Sequence, residues 1–322
     1  IKGHDVCQND CRKTRTSLST EENSMKRRIT KGKTLLVDGP ASVEVISGEA
    51  EVLGATFKKG DKIVIREGKR VPFEAKKDAT FNLMVAENAS VEEIDGSTVP
   101  VSWETASEEI VSMRKSNTVM VMGEVDSGKT SFCVYLANKA LKRKLKVAVI
   151  DGDLGQSDVG PPSTIGFCHL KAPVRDLFEL GAENAHFVGA TSPSTVISRV
   201  ITKLTSLKST ILGMNVDFLI LNTDGWVDGE DAIKYKIELA ESTVPDVVVG
   251  IQRENELAPI LSALKDIRTI TVDSPLVTRK RGQEERKILR QLSYQKYLKG
   301  ARVQSLSLNW IRVEGSLLAS GK

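Results

Sequence analysis

The segment Val119–Thr130, with the sequence VMVMGEVDSGKT, decides the fold of this 322-residue chain. It combines an apolar strand pattern, a Gly-x4-Gly-Lys-Thr loop and the start of a helical pattern. Gly123 and Gly128 let the backbone curl so that successive N–H groups point at phosphate oxygens, and the helix that follows adds its positive end. In this motif Lys129 reaches the β- and γ-phosphates and the Thr130 hydroxyl binds Mg²⁺. The segment therefore predicts a nucleotide phosphate site.

Composition and length describe a globular chain with room for two domains, at roughly 150 residues each. Hydrophobic residues make up 40% of the chain and charged residues 27%. No apolar run approaches the roughly 18 residues of a membrane helix, and the N-terminus lacks the apolar core of a signal peptide. We therefore expect a cytoplasmic protein with no membrane partner; the sequence leaves open whether it is a monomer or an oligomer.

The N-terminal segment is polar, basic and free of periodicity. Residues 1–31 carry eight Lys or Arg against four Asp or Glu, which equals the whole net charge of +4. Such a composition predicts a disordered tail over residues 1–30. His4, Cys7 and Cys11 are close enough in sequence to suggest a metal site, but structural zinc takes four ligands and no fourth is near. The tail is the favoured interpretation.

A second basic segment lies near the C-terminus. Residues 279–302 hold nine Lys or Arg against two Glu, and Tyr294 and Tyr297 lie among them. Lys and Arg contacts to phosphates supply most of the sequence-independent affinity for nucleic acids, so the segment indicates a polyanionic partner. A solvated helix face is the alternative.

The sequence pattern changes at about residue 98. Short β-like runs separated by Gly turns predict a small antiparallel β domain over residues 31–98. Residues 99–302 begin with a linker helix, then alternate strands with helices and end in an Arg-rich lid. Their Val/Ile/Leu-rich strands predict an α/β fold with a parallel sheet covered on both faces. Residues 303–322 resemble the opening strands of a further, truncated β element, with strands at 304–308 and 310–313.

The elements of the α/β domain follow from this pattern. Its predicted strands are 118–122, 146–151, 185–189, 216–222, 246–250 and 268–272. Its predicted helices are 130–143, 194–209, 230–242, 254–265 and 283–299. Ligands bind beyond the carboxyl ends of the strands in such sheets.

Two carboxylates, Asp151 and Asp153, follow the second predicted strand. Facing a phosphate loop, they can hold Mg²⁺ and accept a proton from an attacking hydroxyl. Asp153 lies further into the loop and is the predicted base. The alternative is that Asp151 caps its strand and Asp153 only begins a polar loop.

Further candidates follow later strands. Trp226 comes just after a Gly turn, where an indole could stack on a nucleic-acid base for about 1–3 kcal/mol; a core position is the alternative. Thr191-Ser192-Pro193 is expected to cap the next helix, which is compatible with a substrate-loop role. Arg286 and Arg290 are four residues apart, lie on one helix face and could close over the γ-phosphate.

Four motifs together resemble those of the polyribonucleotide 5′-hydroxyl-kinases, the archaeal relatives of eukaryotic RNA kinases of messenger, tRNA and rRNA processing. They lie at 123–130, 151–156, 222–226 and 279–297. The resemblance implies a P-loop kinase domain that transfers the γ-phosphate of ATP to the 5′-hydroxyl of RNA, and often DNA. The implied cofactors are ATP and Mg²⁺, and the implied partner is an RNA 5′ end, with RNA-processing proteins as further partners.

The resemblance also implies site residues. The catalytic residues are Lys129, Asp153, Arg286 and Arg290. The metal ligands are Thr130, Asp151 and Asp153. The nucleotide-binding residues are Gly123, Glu124, Val125, Asp126, Ser127, Gly128, Lys129, Thr130 and Ser131. The substrate-binding residues are Gln156, Thr191, Thr223, Gly225 and Trp226. Asp224 stands where relatives vary and receives no role, and Gln252 is the candidate for adenine recognition.

Other functions remain as alternatives. The chain could hold ATP as a structural ligand in an RNA-processing assembly, without turnover. A regulatory GTPase or a partitioning ATPase is disfavoured, because the chain lacks an Asn-Lys-x-Asp guanine motif and an extra lysine near the start of the phosphate loop.

Overall fold

The computed structural model describes residues 23–113, 117–307 and 310, and they divide into two compact units. Within the described residues, the first unit comprises 23–51 and 57–97, and the second comprises 52–56 and everything from residue 98. His4, Cys7 and Cys11 lie outside the described residues, as do all but one of residues 308–313.

The N-terminal strands form two antiparallel sheets with the orders β1-β8-β3-β6 and β5-β4-β7-β2-β9. Buried and partly exposed side chains alternate along β7, because one face of each strand packs on a core. The strands are β1 (Asn23–Ile29), β2 (Lys33–Asp38), β3 (Ala41–Ser47), β4 (Glu49–Val52), β5 (Ala55–Lys58), β6 (Lys62–Ile65), β7 (Arg70–Ala75), β8 (Ala79–Val85) and β9 (Val91–Asp95).

Strand β1 corrects the prediction of a tail over residues 1–30. Residues 23–29 pair antiparallel with β8, from Asn23 opposite Val85 to Ile29 opposite Ala79. Most side chains from 24 to 28 are exposed, and Ile29 is buried. An edge strand held by backbone pairing needs no apolar alternation, which is why the sequence pattern missed it.

The second unit is a seven-stranded sheet flanked by helices, and it confirms the predicted α/β fold. The order is β13-β12-β11-β14-β10-β15-β16, and β11, β14, β10, β15 and β16 are mutually parallel. The elements are α1 (Val101–Ser112), β10 (Asn117–Gly123), α2 (Lys129–Lys142), β11 (Val147–Asp151), β12 (Thr164–Leu170), β13 (Asn184–Phe187), α3 (Ile197–Leu212), β14 (Phe218–Asn222), α4 (Glu230–Thr243), β15 (Val247–Gln252), α5 (Ala258–Leu261), β16 (Arg268–Asp273) and α6 (Gln283–Leu298).

Both faces of the central strands are buried, as the apolar runs predict. In β10, Val119 and Val121 belong to the core that contains Phe132 of α2. Met120 and Met122 belong to the core that contains Leu204 of α3 and residues of α4. The two helical layers therefore hold the ends of β10, β11 and β14 in place.

Three predictions about this unit need correction. Strand β12 was missed, and it pairs antiparallel with both β11 and β13, so the edge of the sheet is mixed. The helix predicted over 254–265 is only α5, because the Glu256 carboxylate accepts from the Arg253 and Glu254 N–H groups and holds a turn there. Residues 304–307 form no strand, unlike the predicted strand at 304–308.

Across the described ranges, none of the helices combines the length and the apolar character that a membrane crossing requires.

Candidate functional site

The loops that follow β10, β11 and β14 meet at one edge of the sheet. Asn222 at the end of β14 is in register with Asp151 on one side and Val121 on the other. The carboxyl ends of parallel strands line the crevice where α/β sheets bind ligands. The phosphate loop (residues 123–130), the acidic loop (residues 151–160) and the Thr223–Trp226 loop are therefore neighbours.

The phosphate loop has the tight curvature that its glycines predict. A Cβ atom on Gly123 would lie 2.5 Å from Ser127 Oγ and 2.7 Å from the carbonyl of Ile251, so no larger residue fits. Gly128 has a φ of +103° and immediately precedes α2. The loop therefore wraps the N-terminus of a fourteen-residue helix, where unpaired N–H groups favour an anion.

Lys129 lies buried in this loop. Its Nζ donates to the carbonyls of Gly123 at 2.9 Å and Glu124 at 2.6 Å. Burial lowers the pKa of Lys129 to about 8, and the negative charge of Asp153 opposes that shift. Among the described residues, no carboxylate forms an ion pair with Lys129. A bound phosphate would supply the counter-charge.

Asp151 is fully buried and holds the acidic loop together. Its carboxylate accepts from backbone and side-chain donors on both oxygens, and burial raises its pKa to about 6. The donors are Asp153 N (3.3 Å), Ser157 Oγ (3.1 Å), Asp158 N (2.7 Å), Val159 N (3.2 Å) and Asn222 Nδ2 (3.0 Å). These are the capping contacts of the alternative interpretation, and the metal role of Asp151 stays a prediction.

Asp153 differs from Asp151 in having one oxygen available. Its Oδ1 accepts from Gly155 N at 3.0 Å and Gln156 N at 2.9 Å. Within the described ranges, Oδ2 accepts no hydrogen bond. Burial raises the pKa of Asp153, and the nearby Lys129 charge opposes this. The available oxygen can accept a proton or bind a cation, as the predicted base requires.

Asn222 is a site residue that the sequence analysis quoted but gave no role. Its Nδ2 lies 3.0 Å from Asp151 Oδ1 and 3.5 Å from Thr130 Oγ1. It therefore connects the acidic loop to the predicted Mg²⁺-binding hydroxyl. Its position at the end of a buried strand was the signal that could have identified it.

The Thr223–Trp226 loop packs against the phosphate loop. Thr223 Oγ1 donates to the carbonyl of Val121 at 2.8 Å. A Cβ atom on Gly225 would lie 2.6–2.8 Å from atoms of Val125, so glycine is required by the close approach. The half-buried Trp226 ring stacks on Tyr235 at a centroid distance of 5.8 Å. The Trp226 ring therefore packs on Tyr235, as the core alternative predicts, and its role in substrate binding stays a prediction.

Thr191 also lies beside the acidic loop, since a Cβ atom on Gly155 would be 2.9 Å from the Thr191 carbonyl. The adjacent Ser192 caps the short 3₁₀ helix Pro193–Thr195. The predicted helix is α3, which starts after Val196 with no side-chain cap, so the prediction that this segment caps it is wrong. The substrate role of Thr191 stays a prediction.

The lid contacts the phosphate loop through Asp126. This carboxylate accepts from Arg281 N at 2.9 Å and forms ion pairs with Arg281 at 3.3 Å and Arg286 at 3.5 Å. Arg281 also donates to Gln156 Oε1 at 3.2 Å. Arg281 is thus a contact residue beyond the two predicted lid arginines. Arg290 makes no side-chain hydrogen bond or ion pair within the described ranges.

The far end of α6 has a structural role. Ser293 Oγ donates to the Gly160 carbonyl at 3.2 Å, Lys296 to the Phe178 carbonyl at 2.9 Å, and Tyr297 to the Val159 carbonyl. Part of the basic segment is therefore committed to holding the helix on the acidic loop.

Three buried polar atoms around these loops have no hydrogen-bond partner among the described residues: Ser127 Oγ, Gln156 Nε2 and Arg286 Nε. Buried polar atoms are normally satisfied, so these three require a partner such as water, an ion or a ligand. Beside Glu124, a cavity of about 390 Å³ is lined by residues 253–256. Gln252, the candidate for adenine recognition, instead accepts from Leu257 N at 3.3 Å.

Fold and site together define a P-loop nucleotide-binding protein of the α/β class. The chain belongs to the family described as mRNA cleavage and polyadenylation factor CLP1 P-loop, which matches residues 123–300. This confirms the family resemblance inferred from the four motifs.

Curated relatives carry the corresponding names. The chain is 33% identical to a polyribonucleotide 5′-hydroxyl-kinase of Pyrococcus furiosus, covering 69% of this chain and 62% of the relative. It is 31% identical to the Pyrococcus abyssi enzyme of that name, over 70% of this chain and 62% of the relative. Clp1 of Xenopus tropicalis is 26% identical, over 82% of this chain and 64% of the relative. The chain thus spans about 62% of the length of the Pyrococcus relatives.

The solved complex of wild-type Clp1p with Pcf11p contains a chain of the same fold. The TM-score is 0.71 at 16% identity, covering 89% of this chain and 75% of that chain.

Proposed function

We propose that this protein is an ATP-dependent polynucleotide 5′-hydroxyl kinase that phosphorylates RNA. The observation that carries the proposal is the pairing of two groups across the loops after β10 and β11. Among the described residues, the buried Lys129 ammonium forms no ion pair with a carboxylate, and the nearby Asp153 presents an oxygen that accepts no hydrogen bond. A phosphate-binding cation beside an available carboxylate is what transfer to a hydroxyl requires.

The residues fit ATP and Mg²⁺. A Cβ atom at position 123 would clash with the atoms that line the loop, and the loop wraps a helix N-terminus. Ser127 Oγ is buried and has no hydrogen-bond partner among the described residues. Lys129 would hold the β- and γ-phosphates, while Thr130 and Asp153 would hold the cation, with Asp151 as a further candidate ligand. Bound Mg²⁺ would neutralise the negative charge of the phosphate oxygens during transfer.

Asp153 acts as the base toward the 5′-hydroxyl of the acceptor. Burial raises the pKa of Asp153, which favours proton acceptance, and the nearby Lys129 charge opposes that shift. Arg286 and Arg290 of the lid neutralise charge on the transferring phosphoryl group. The first nucleotides of the acceptor are bound by five residues: Trp226, Gly225, Thr223, Thr191 and Gln156. DNA is a second acceptor, and RNA-processing proteins are further partners.

One observation favours a second candidate, an ATP-binding scaffold without turnover. The Lys129 ammonium donates two of its three protons to carbonyls of its own loop, which leaves one for a γ-phosphate. Such a scaffold would retain ATP and transfer nothing.

A transfer assay tests the proposal. The protein is incubated with Mg²⁺, γ-labelled ATP and matched RNA or DNA oligonucleotides that carry either a 5′-hydroxyl or a 5′-phosphate. The proposal expects label only on the 5′-hydroxyl acceptors. Tight ATP binding with no labelled acceptor would establish the scaffold instead.

A further inference from the structure

The residue Asp224 received no role from sequence, yet it is at the centre of a buried polar network behind the Thr223–Trp226 loop. Its Oδ1 accepts from Trp226 N at 3.0 Å. Its Oδ2 accepts from Tyr235 OH at 2.7 Å and pairs with Lys236 Nζ at 3.0 Å. One side chain of the loop is therefore fixed by two consecutive residues of α4.

Lys236 is completely buried, and its ammonium group is fully used by the same loop. Besides the Asp224 carboxylate, Nζ donates to the Asp224 carbonyl at 2.8 Å and to Thr223 Oγ1 at 3.2 Å. An ammonium has three protons, and these three acceptors match them. All three acceptors belong to Thr223 and Asp224.

A buried ion pair is a weak source of stability, because desolvation of the two charges offsets their attraction. The role of the network therefore follows from the residues that it holds in place, rather than from its contribution to stability. Thr223 Oγ1, which accepts from Lys236, donates to the Val121 carbonyl beside the phosphate loop. Gly225 lies against Val125, and Trp226 stacks on Tyr235. Thr223 is therefore bonded to Lys236 and Trp226 to Asp224, and Gly225 lies in the chain between these two anchored residues.

We infer that Asp224 and Lys236 are positioning residues that hold Gly225 and Trp226 at the place where the acceptor's first nucleotide binds. Neither side chain touches the acceptor; both act through the Thr223–Trp226 loop. The inference rests on the proposed kinase function and adds two residues to it. Loss of either charge lets the loop shift, so acceptor binding weakens while the phosphate loop still binds ATP.

The test compares Lys236→Met with the wild type. Methionine keeps the length of the side chain and removes the charge. We measure KM for a 5′-hydroxyl oligonucleotide, KM for ATP, and the affinity for the same oligonucleotide, labelled at its 3′ end, by fluorescence anisotropy. The acceptor KM and dissociation constant are expected to rise about 10- to 100-fold, since loss of base stacking on Trp226 has an effect of this size. The ATP KM is expected to change less than about threefold, which separates positioning from general damage.

Lys208→Met is the matched control. The Lys208 ammonium also donates to backbone carbonyls at α4, those of Thr243 at 2.5 Å and Val244 at 2.8 Å, but at the far end of the helix. This variant is expected to leave both KM values unchanged. An equal rise of the acceptor KM in Lys208→Met and Lys236→Met would overturn the inference.

If Lys236→Met does not fold, Tyr235→Phe tests the positioning role of Asp224 instead. It keeps the ring under Trp226 and removes only the hydroxyl that donates to Asp224. A rise of the acceptor dissociation constant with unchanged ATP affinity supports the inference, and unchanged acceptor binding overturns it. Because anisotropy needs no turnover, a wild type that binds the oligonucleotide without phosphorylating it would refute the kinase alone. A wild type that does not bind it would refute both.

Discussion

The Asp126 carboxylate of the phosphate loop accepts a hydrogen bond from the backbone N–H of Arg281 at 2.9 Å. The same carboxylate pairs with the Arg281 and Arg286 guanidinium groups, and its side chain is only 4% exposed. A residue of the nucleotide loop therefore holds Arg281 and Arg286 of the lid in place.

Removing the Asp126 charge is expected to loosen the lid. In Asp126→Asn, the amide of Arg281 should exchange hydrogen at least about tenfold faster, because a hydrogen bond to a charged group contributes about 1.5–3 kcal/mol. Hydrogen exchange over residues 279–290 measures this. Glu284→Gln, which affects only an exposed pair with Lys287, is the control. Equal exchange in the two variants would contradict the lid contact.

The two carboxylates of the acidic loop are expected to differ in their effect on stability. Asp151→Ala leaves several buried donors without an acceptor and should lower the free energy of unfolding by about 3 kcal/mol. Asp153→Ala removes the acceptor of two N–H groups in a half-buried loop and should cost about 1 kcal/mol. Urea unfolding of both variants measures the difference. An equal or reversed order would show that Asp151 does not hold the loop.

Gly225 is expected to control nucleotide affinity through a backbone contact. In Gly225→Ala the new methyl group overlaps Val125 and must displace the phosphate loop, which should weaken ATP binding about tenfold. Calorimetric titration with ATP measures the effect. A Cβ atom on Gly181 meets nothing within 4 Å, so Gly181→Ala is the control. Unchanged ATP affinity in Gly225→Ala would mean that the two loops move independently.

Lys129 makes stability depend on pH in the alkaline range. Its folded pKa is about 8 and its ordinary value is 10.5, so between these values the unfolded chain binds more protons. Stability contributed by this group therefore rises with pH, by about 1.4 kcal/mol per pH unit at most. Relative to Lys129→Met, the wild type should gain stability between pH 7.5 and about 9.5. Urea unfolding curves at both pH values test this, and a constant difference between the proteins would contradict a depressed pKa.

The sequence predicted those parts of the site that follow from local pattern. The glycine spacing of 123–130 defines a loop geometry by itself, and Val/Ile/Leu runs such as 147–150 identify buried strands. The polar residues after such strands, Asp151 and Asp153, could therefore be placed at one edge of the sheet. Strand β1 was missed because an edge strand held by backbone pairing does not require a regular apolar pattern. Strand β12 is paired on both sides, and it was missed because Gly166 and His169 interrupt its apolar run.

The parts that escaped prediction depend on contacts between distant segments. In the sequence, Lys236 is only one charged residue on a predicted helix. Its ion pair with Asp224 forms because α4 packs behind β14 in the folded chain. In the sequence, Arg281 is one of nine basic residues in its segment. Only its ion pair with Asp126 in the folded chain distinguishes it from the others. Asp151 and Asp153 have the same side chain, and only the donors around each carboxylate distinguish the structural residue from the candidate base. No sequence pattern contains that information.

The most direct test of the kinase proposal is the rate of phosphate transfer by Asp153→Asn at saturating ATP and 5′-hydroxyl RNA. Asparagine keeps an oxygen for the Gly155 and Gln156 N–H groups but cannot take a proton. Transfer should fall about 10²- to 10⁴-fold, the range of general-base catalysis, while ATP affinity stays within about threefold. A variant that transfers phosphate at the wild-type rate, or a wild type that transfers none, would contradict the assignment of Asp153 as the base of a polynucleotide kinase.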